Sequence, residues 1–274
     1  MVSEIHFPAY PLNLFIESFY YFTDFEPVHS IDRFLPDGNV QIIFELTENS
    51  QSIYHNHSLE EIQSCRKVWF SGFRTLPITI PSGKESELVI VNIRRGRAYP
   101  FLKLPVNELK NRVVNAELVI KNILECREKM LEQPTPLLKL KTLENFMLHN
   151  FISNFNEFPV IDFIIDKVNE IPYQLKFKDI IEKTGYSQKH IIKLFKDKVG
   201  IAPKEYLKVI RFQQIIANIE KTEFVDWNDL AFKSGFYDQS HFISDFKNFS
   251  GFTPTEYLRQ RGETINYIPI DIIR

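Results

Sequence analysis

The spacing of apolar positions changes period along this chain. In the first hundred residues the apolar runs are short, β-branched and aromatic, with turn residues between them. IDRFLPDGNVQIIFEL (31–46) carries a Pro36-Asp37-Gly38 turn signal before such a run, and KVWFSGF (67–73) and SELVIVNIRR (86–95) are two more strand candidates. Beyond Pro105 apolar residues fall three and four apart, which predicts helices over ELKNRVV (108–114), LVIKNILECREKMLEQ (118–133) and PLLKLKTLENFMLHNFI (136–152). Pro134 and Pro136 separate the second from the third. From Pro159 to about Arg261 everything reads as short helices with tight turns, and ISNFNEFP (152–159) is the expected linker. The pattern predicts an α+β chain of two domains: residues 1–152, β-rich with a helical end, and residues 153–274, all-α.

The second domain contains a duplication. DIIEKTGYSQKHIIKLFKDKVGIAPKEYL begins at Asp179 and DLAFKSGFYDQSHFISDFKNFSGFTPTEYL at Asp229. At least eleven positions pair identically, among them Gly185/Gly235, His190/His241, Phe195/Phe246, Gly200/Gly251, Pro203/Pro254 and Tyr206/Tyr257. The offset is fifty residues up to the first glycine and fifty-one after it, so the one extra residue falls in a turn, where an insertion costs least.

Each copy reads helix, glycine turn, helix, then a second glycine and a proline. Gly185 and Gly235 follow a short amphipathic helix, where a left-handed stop is needed, and Ser187 and Asp238 stand at the next N-cap position. Ile191, Leu194 and Phe195 in the first unit, and Phe242 and Phe246 in the second, share a buried face. Two helices around a short glycine turn make a helix-turn-helix, whose second helix can enter a major groove. The units span about residues 174–207 and 224–258. The outward face of the first recognition helix is Lys189, Ile192, Lys193 and Lys196; that of the second is Ser240, Ile243, Ser244 and Lys247, with Gln239 at its start. Lysine can reach guanine or phosphate, glutamine can pair with adenine, and isoleucine can meet a thymine methyl or pack at the helix edge. Between the units KEYLKVIRFQQIIANIE reads as one helix of roughly 25 Å, a spacer able to set two recognition helices in successive grooves about 34 Å apart.

Charge locates the partner more closely than composition does. The 274 residues carry a net charge of -2, which selects no partner. From Gln174 to Arg211, however, ten basic residues face four acidic ones, a surplus suited to a phosphate backbone, whereas Lys221 to Arg261 holds five bases and six acids. Double-stranded DNA is the expected partner, with the first unit supplying most of the phosphate attraction. Cys65 and Cys126 lack metal-site or disulfide-framework spacing, and the start MVSEIHFPAYPLNLF has no basic segment followed by an apolar core. The chain reads as cytoplasmic, without a membrane partner.

The second unit, GFYDQSHFISDFKNFSGFTPTEYLR, resembles the signature of the AraC/XylS family through Gly235-Phe236, Asp238, Ser240, Phe242, Phe246-Lys247, Gly251, Thr253-Pro254 and Tyr257. The first unit is similar through Gly185-Tyr186-Ser187, Leu194-Phe195-Lys196, Gly200, Pro203 and Tyr206-Leu207, with Arg211 in the connecting helix as a further DNA-binding candidate. The resemblance covers about residues 159–261 and implies a transcriptional regulator reading an asymmetric site. Where the family usually carries Arg, this chain has Lys193 and Ser244; lysine keeps the charge without the two-pronged fork, and serine keeps neither. LPDGNVQIIFEL, SGFRT and VNIRRGRAYPFLKLPVNEL are similar to a sensor-type domain often attached to such units, a small cupin-like β-barrel followed by helices. That likeness implies a small-molecule effector; RNA polymerase and a second copy of the chain are the implied protein partners, and no cofactor is implied.

Competing readings rest on fewer residues. His55-x-His57 could ligate a metal from one strand face, but Asn56 and Ser58 mark an exposed loop and no complementary Glu/His set lies nearby. No nucleophile elbow, Walker motif or dinucleotide fingerprint is present, so the chain is not expected to be an enzyme. Arg94, Arg95 and Arg97 read either as an anion site or as a solvated strand end. LVIKNILECREKML offers a dimer face or a lid on its own barrel. The apolar tail ETINYIPIDIIR (263–274) is too sticky to hang free and is expected to pack as an extended segment, either on the DNA-binding helices or across to the first domain. The N-terminal half could thus sense a ligand or only make protein contacts.

Overall fold

Alternation of side-chain direction along the strands builds the N-terminal half as two antiparallel sheets. In this computed structural model residues 2–102, 104–150, 159–170, 172–173, 177–220, 225–262 and 266–270 are described. One sheet has the order β1 (Val2–His6), β2 (Ile16–Thr23), β9 (Leu88–Ile93), β4 (Val40–Glu45), β7 (Val68–Ser71) and β10 (Val113–Asn115). The other runs β11 (Tyr267–Ile270), β3 (Ile31–Phe34), β8 (Ile78–Pro81), β5 (Ser50–Tyr54) and β6 (Glu61–Arg66). Register fixes which residues share a face. Ile43 lies opposite Ile90 and Trp69, and this set packs toward Ile53 and Cys65 of the second sheet. Ile42 lies opposite Val91 and Phe70 on the other face, which is roofed by α1 (Tyr99–Leu102), α2 (Ile123–Leu131) and α3 (Pro136–Asn150).

The strand expectations over 31–46, 67–73 and 86–95 hold. The expected helix over 108–114 does not form. Val106–Leu109 is a single 3₁₀ turn, the chain reverses at Asn111 with φ +55°, and Val113–Asn115 pairs with β7. Apolar residues three and four apart here serve a turn and a strand edge. In α2 the stripe Ile123, Cys126 and Met130 is fully buried beside Leu140, Leu143 and Met147 of α3. That stripe covers its own domain, which leaves it unavailable as a dimer face.

The C-terminal half contains α4 (Pro159–Glu170), α5 (Phe177–Thr184), α6 (Gln188–Val199), α7 (Pro203–Glu220), α8 (Trp227–Lys233), α9 (Gln239–Ser250) and α10 (Pro254–Gln260). Most of the linker expected at 152–159 lies outside the described residues, and Pro159 opens α4. The two halves share one hydrophobic core. Gly96, left-handed at φ +74°, lets Ile165 of α4 come so near that a Cβ would stand 2.6 Å from its Cδ1. Arg97 pairs with Asp162 at 2.5 Å, Lys110 with Glu205, and Arg95 donates to the Asp37 carbonyl at 2.8 Å.

One element departs from an all-α C-terminal half. Tyr267–Ile270 leaves the helices and adds to the N-terminal sheet, with Tyr267 opposite Phe34 and Ile270 opposite Ile31. Of the two places expected for the tail, the described part takes the bridging one. Among the described residues no helix is long and apolar enough to cross a membrane.

Candidate nucleic-acid interface

Local chemistry shapes both helix-turn-helix units in the same way. Gly185 adopts φ +72° with open space where its Cβ would be, so the backbone conformation alone requires glycine there; Gly235 adopts φ +76°. Ser187 caps α6 by accepting from the His190 N–H, and Asp238 caps α9 by accepting from the His241 N–H at 2.8 Å. Gly200 and Gly251 end the two helices in the left-handed conformation. Glu256 and Thr253 form a reciprocal capping box at α10; at α7 Glu205 reaches the Ala202 N–H at 3.2 Å but Ala202 offers no hydroxyl in return.

The repeated aromatic pairs have equivalent roles. Phe195 meets Tyr206 edge-on at 5.5 Å, and Phe246 meets Tyr257 edge-on at the same distance. All four rings are buried. Each pair clamps the recognition helix to the helix after the second glycine. Ile191 and Phe242 complete the two inner faces at 0% exposure, so the opposite faces of α6 and α9 point outward.

The structure places most of the expected site on those outward faces. Lys189, Lys193 and Lys196 of α6 are exposed, as are Gln239, Ser240, Ser244 and Lys247 of α9. Ile192 and Ile243 are half-buried, and Ile243 packs against the core, which is the edge-packing alternative. Arg211 is not brought together with them. It is half-buried on α7, donates from Nε to the Pro172 carbonyl at 2.7 Å, and burial lowers its pKa. Lys198 is also withdrawn: its ammonium lies 3.3 Å from the centre of the Tyr99 ring. Lys208 pairs with Asp245 of α9 at 3.2 Å.

Three aromatic positions were not among the site candidates read from the sequence. Tyr186 is exposed and stacks on His190 at 4.9 Å, beside the start of α6. Tyr237 is 99% exposed immediately before the Asp238 cap. It stands where the second copy has its extra residue, the one signal that could have found it. Phe232 is exposed on α8.

The N-terminal candidates separate from this surface. Arg94, Arg95 and Arg97 line a cleft of about 620 Å³ with Glu17 and Asn39 on the β side and Asp162, Ile165 and Asp166 on α4. His55 bonds Ser58 at 3.1 Å within an exposed loop, and among the described residues no three His, Cys, Asp or Glu side chains gather as a metal site would need. Cys65 and Cys126 are buried, and burial pushes their thiols up to about 11 and about 12, so neither is a reactive thiolate.

Comparison with known proteins falls on the same two halves. Residues 180–260 match the family described as Helix-turn-helix domain, and residues 4–115 match a Domain of unknown function (DUF6597). YbfI, an HTH-type transcriptional regulator of Bacillus subtilis, is 40% identical over 63 residues, 23% of this chain and 22% of its own length. This chain therefore spans about a fifth of that relative. PqrA of Proteus vulgaris, a probable transcription factor, is 30% identical over 88 residues, 32% of this chain and 70% of PqrA. A crystal structure of ToxT from Vibrio cholerae aligns over 94% of this chain and 98% of its own with a TM-score of 0.45 and 14% identity. With two N-capped recognition helices in a duplicated unit, and a match that spans most of PqrA, the chain belongs to the AraC/XylS family of transcriptional regulators.

Proposed function

We propose that the protein is a sequence-specific DNA-binding transcription regulator acting in the cytoplasm. The observation that carries this is the pair of equivalent recognition helices, α6 and α9, each with a polar outward face and joined by the 18-residue α7. At 1.5 Å per residue α7 is about 27 Å long, about 7 Å less than the roughly 34 Å between successive major grooves, so the turns at its ends must supply the rest of the span. Lys189, Lys193 and Lys196 supply phosphate attraction, while Gln239, Ser240, Ser244 and Lys247 face the second groove. The reading assigns no catalytic step. Capture of genomic fragments by the full chain tests it. Enrichment of a discrete set in the presence of competitor DNA supports the proposal, and retention of no set above bulk overturns it.

The finer reading adds a small-molecule effector. The arginine-lined cleft has the volume of an ordinary ligand site, and anything bound there would touch the β domain and α4 together. Its first anchor would be Arg94, which is exposed and spends only Nε on the Asn13 carbonyl. One observation favours a ligand-free alternative: the Arg97–Asp162 pair already ties the cleft walls, so the N-terminal half could serve protein contacts alone, with RNA polymerase or a second copy. Thermal shift with small carboxylates and phosphate esters separates the two, since only a site responds to ligand and loses that response in Arg94→Ala.

A further inference from the structure

The C-terminal strand ties three parts of the molecule together. β11 continues from α10, the last helix of the second unit, and forms the outer strand of the N-terminal five-stranded sheet. Its four residues pair in register with all of β3, and the ladder extends by one bond, from the Leu35 N–H to the Asn266 carbonyl at 3.0 Å. Gly262, just beyond α10, donates to the Tyr267 carbonyl at 3.0 Å. Asn266 and Gln213 exchange amide hydrogen bonds at 2.7 and 2.9 Å, and Gln213 also donates to the Pro36 carbonyl at 2.7 Å. Ile268 is fully buried, and the Tyr267 hydroxyl meets His29, which bonds Asp32 at 2.6 Å.

A second contact holds the far end of the recognition helix. Arg33 of β3 is 4% exposed, fixed by Thr79 and the Asn56 carbonyl, and its guanidinium lies 4.9 Å from the centre of the Phe252 ring. Gly251, the C-cap of α9, sits so close that a Cβ there would be 2.8 Å from Arg33 Nη1. The second unit is therefore gripped by β3 from beneath and by β11 from behind. The first unit is seated independently, with Gly200 against Phe73 and Val106.

We infer that β11 is an intramolecular latch: its pairing with β3 holds the second helix-turn-helix on the N-terminal sheet, and its release strengthens DNA binding. The physical reason lies in the geometry of double-headed recognition. Seating α6 and α9 in successive grooves fixes their mutual tilt, and the DNA sets that tilt. A unit clamped at both ends cannot adjust to it without breaking the ladder. Contacts made only in the latched arrangement stabilise that arrangement and lower the population that DNA can use. The latch rests on the DNA-binding reading and adds to it a means by which the N-terminal half could control the second unit.

A reversible cross-link tests it in the full chain. Leu35 and Asn266 form a hydrogen-bonded position of the ladder, so the next pair, Phe34 and Tyr267, is a non-hydrogen-bonded one with Cα atoms about 4.5 Å apart, within disulfide range. In F34C/Y267C the oxidised protein should bind a duplex selected from a random pool at least about fivefold more weakly than the reduced protein, the lower end of ordinary site-to-site coupling. The native cysteines are buried and do not compete for the disulfide. Truncation after Gly262 should tighten binding by a similar factor. Equal affinity of the oxidised and reduced forms overturns the latch, as does weaker binding by a truncated chain whose circular dichroism is unchanged. If truncation unfolds the chain, the cross-link decides alone. If no form binds any duplex, the DNA-binding reading itself fails and the latch with it.

Discussion

Replacing Lys193 and Lys196 together by alanine isolates the electrostatic part of the interface. Both side chains are exposed on the outward face of α6, and alanine is a good helix former, so the fold should tolerate the change within about 0.5 kcal/mol. Of the ten bases between Gln174 and Arg211, Lys198 lies against Tyr99, Lys208 pairs with Asp245 and Arg211 turns to Pro172, so the α6 lysines are the principal exposed charges of the recognition helix. Removing one lysine–phosphate pairing should reduce the slope of log affinity against log salt by about 0.9, hence about 1.8 for the two lysines. Over a fourfold change in salt the variant should therefore lose about tenfold less affinity than the parent. Fluorescence anisotropy titrations at several salt concentrations, on random and selected duplexes, read this directly. The weakening should appear on both duplexes, because phosphate contacts carry no sequence. An unchanged slope would mean that this positive face is merely solvated, and would refute the assignment of the first unit as the electrostatic anchor.

Other expectations concern readout, packing and pH. Gln239→Ala should cost about 1–3 kcal/mol on the selected duplex and relax one base pair, with little change on random DNA; equal losses on both would remove Gln239 from base reading. Phe246→Ala deletes a buried ring packed on Phe212, Phe242 and Tyr257, which should cost about 3–5 kcal/mol and lower the melting temperature by roughly 10 °C. A melt unchanged within about 2–3 °C would show that this site collapses without a cavity, at about 1 kcal/mol or less. Burial of Glu205 raises its carboxyl pKa, but the Lys110 ammonium and the Ala202 N–H outweigh this and hold it below the ordinary value. Its contribution to stability is present above the ordinary carboxylate range and is lost as pH falls through the lowered value. Thermal melts across acid pH should thus show a smaller acid loss in Glu205→Gln than in the parent; identical profiles would make the Lys110–Glu205 contact energetically silent.

What was legible in the sequence was what local chemistry determines. Gly185, Gly235, Ser187 and Asp238 declare turns and caps within four residues of one another, and the structure uses them as such. The duplication then supplied the architecture, because Phe195–Tyr206 and Phe246–Tyr257 repeat one packing solution. Long-range pairings were less legible. The extended packing of the tail was legible from its apolar residues, but its partner was not: residues 267–270 pair with the open edge of β3, more than two hundred residues earlier. Arg211 reads from the sequence as one more cation near DNA, yet the Pro172 carbonyl, which no spacing rule connects to it, turns it inward. The apolar spacing in 108–114 fits a helix equally well until β7 offers an open edge to Val113–Asn115.

The central claim is that one chain grips DNA with two recognition helices at once. Hydroxyl-radical footprinting of the full chain on its selected duplex tests this most directly. The account predicts two protected patches on one face of the DNA, centred about 10 base pairs apart. A single patch in the parent protein, or protection without sequence enrichment, would contradict it.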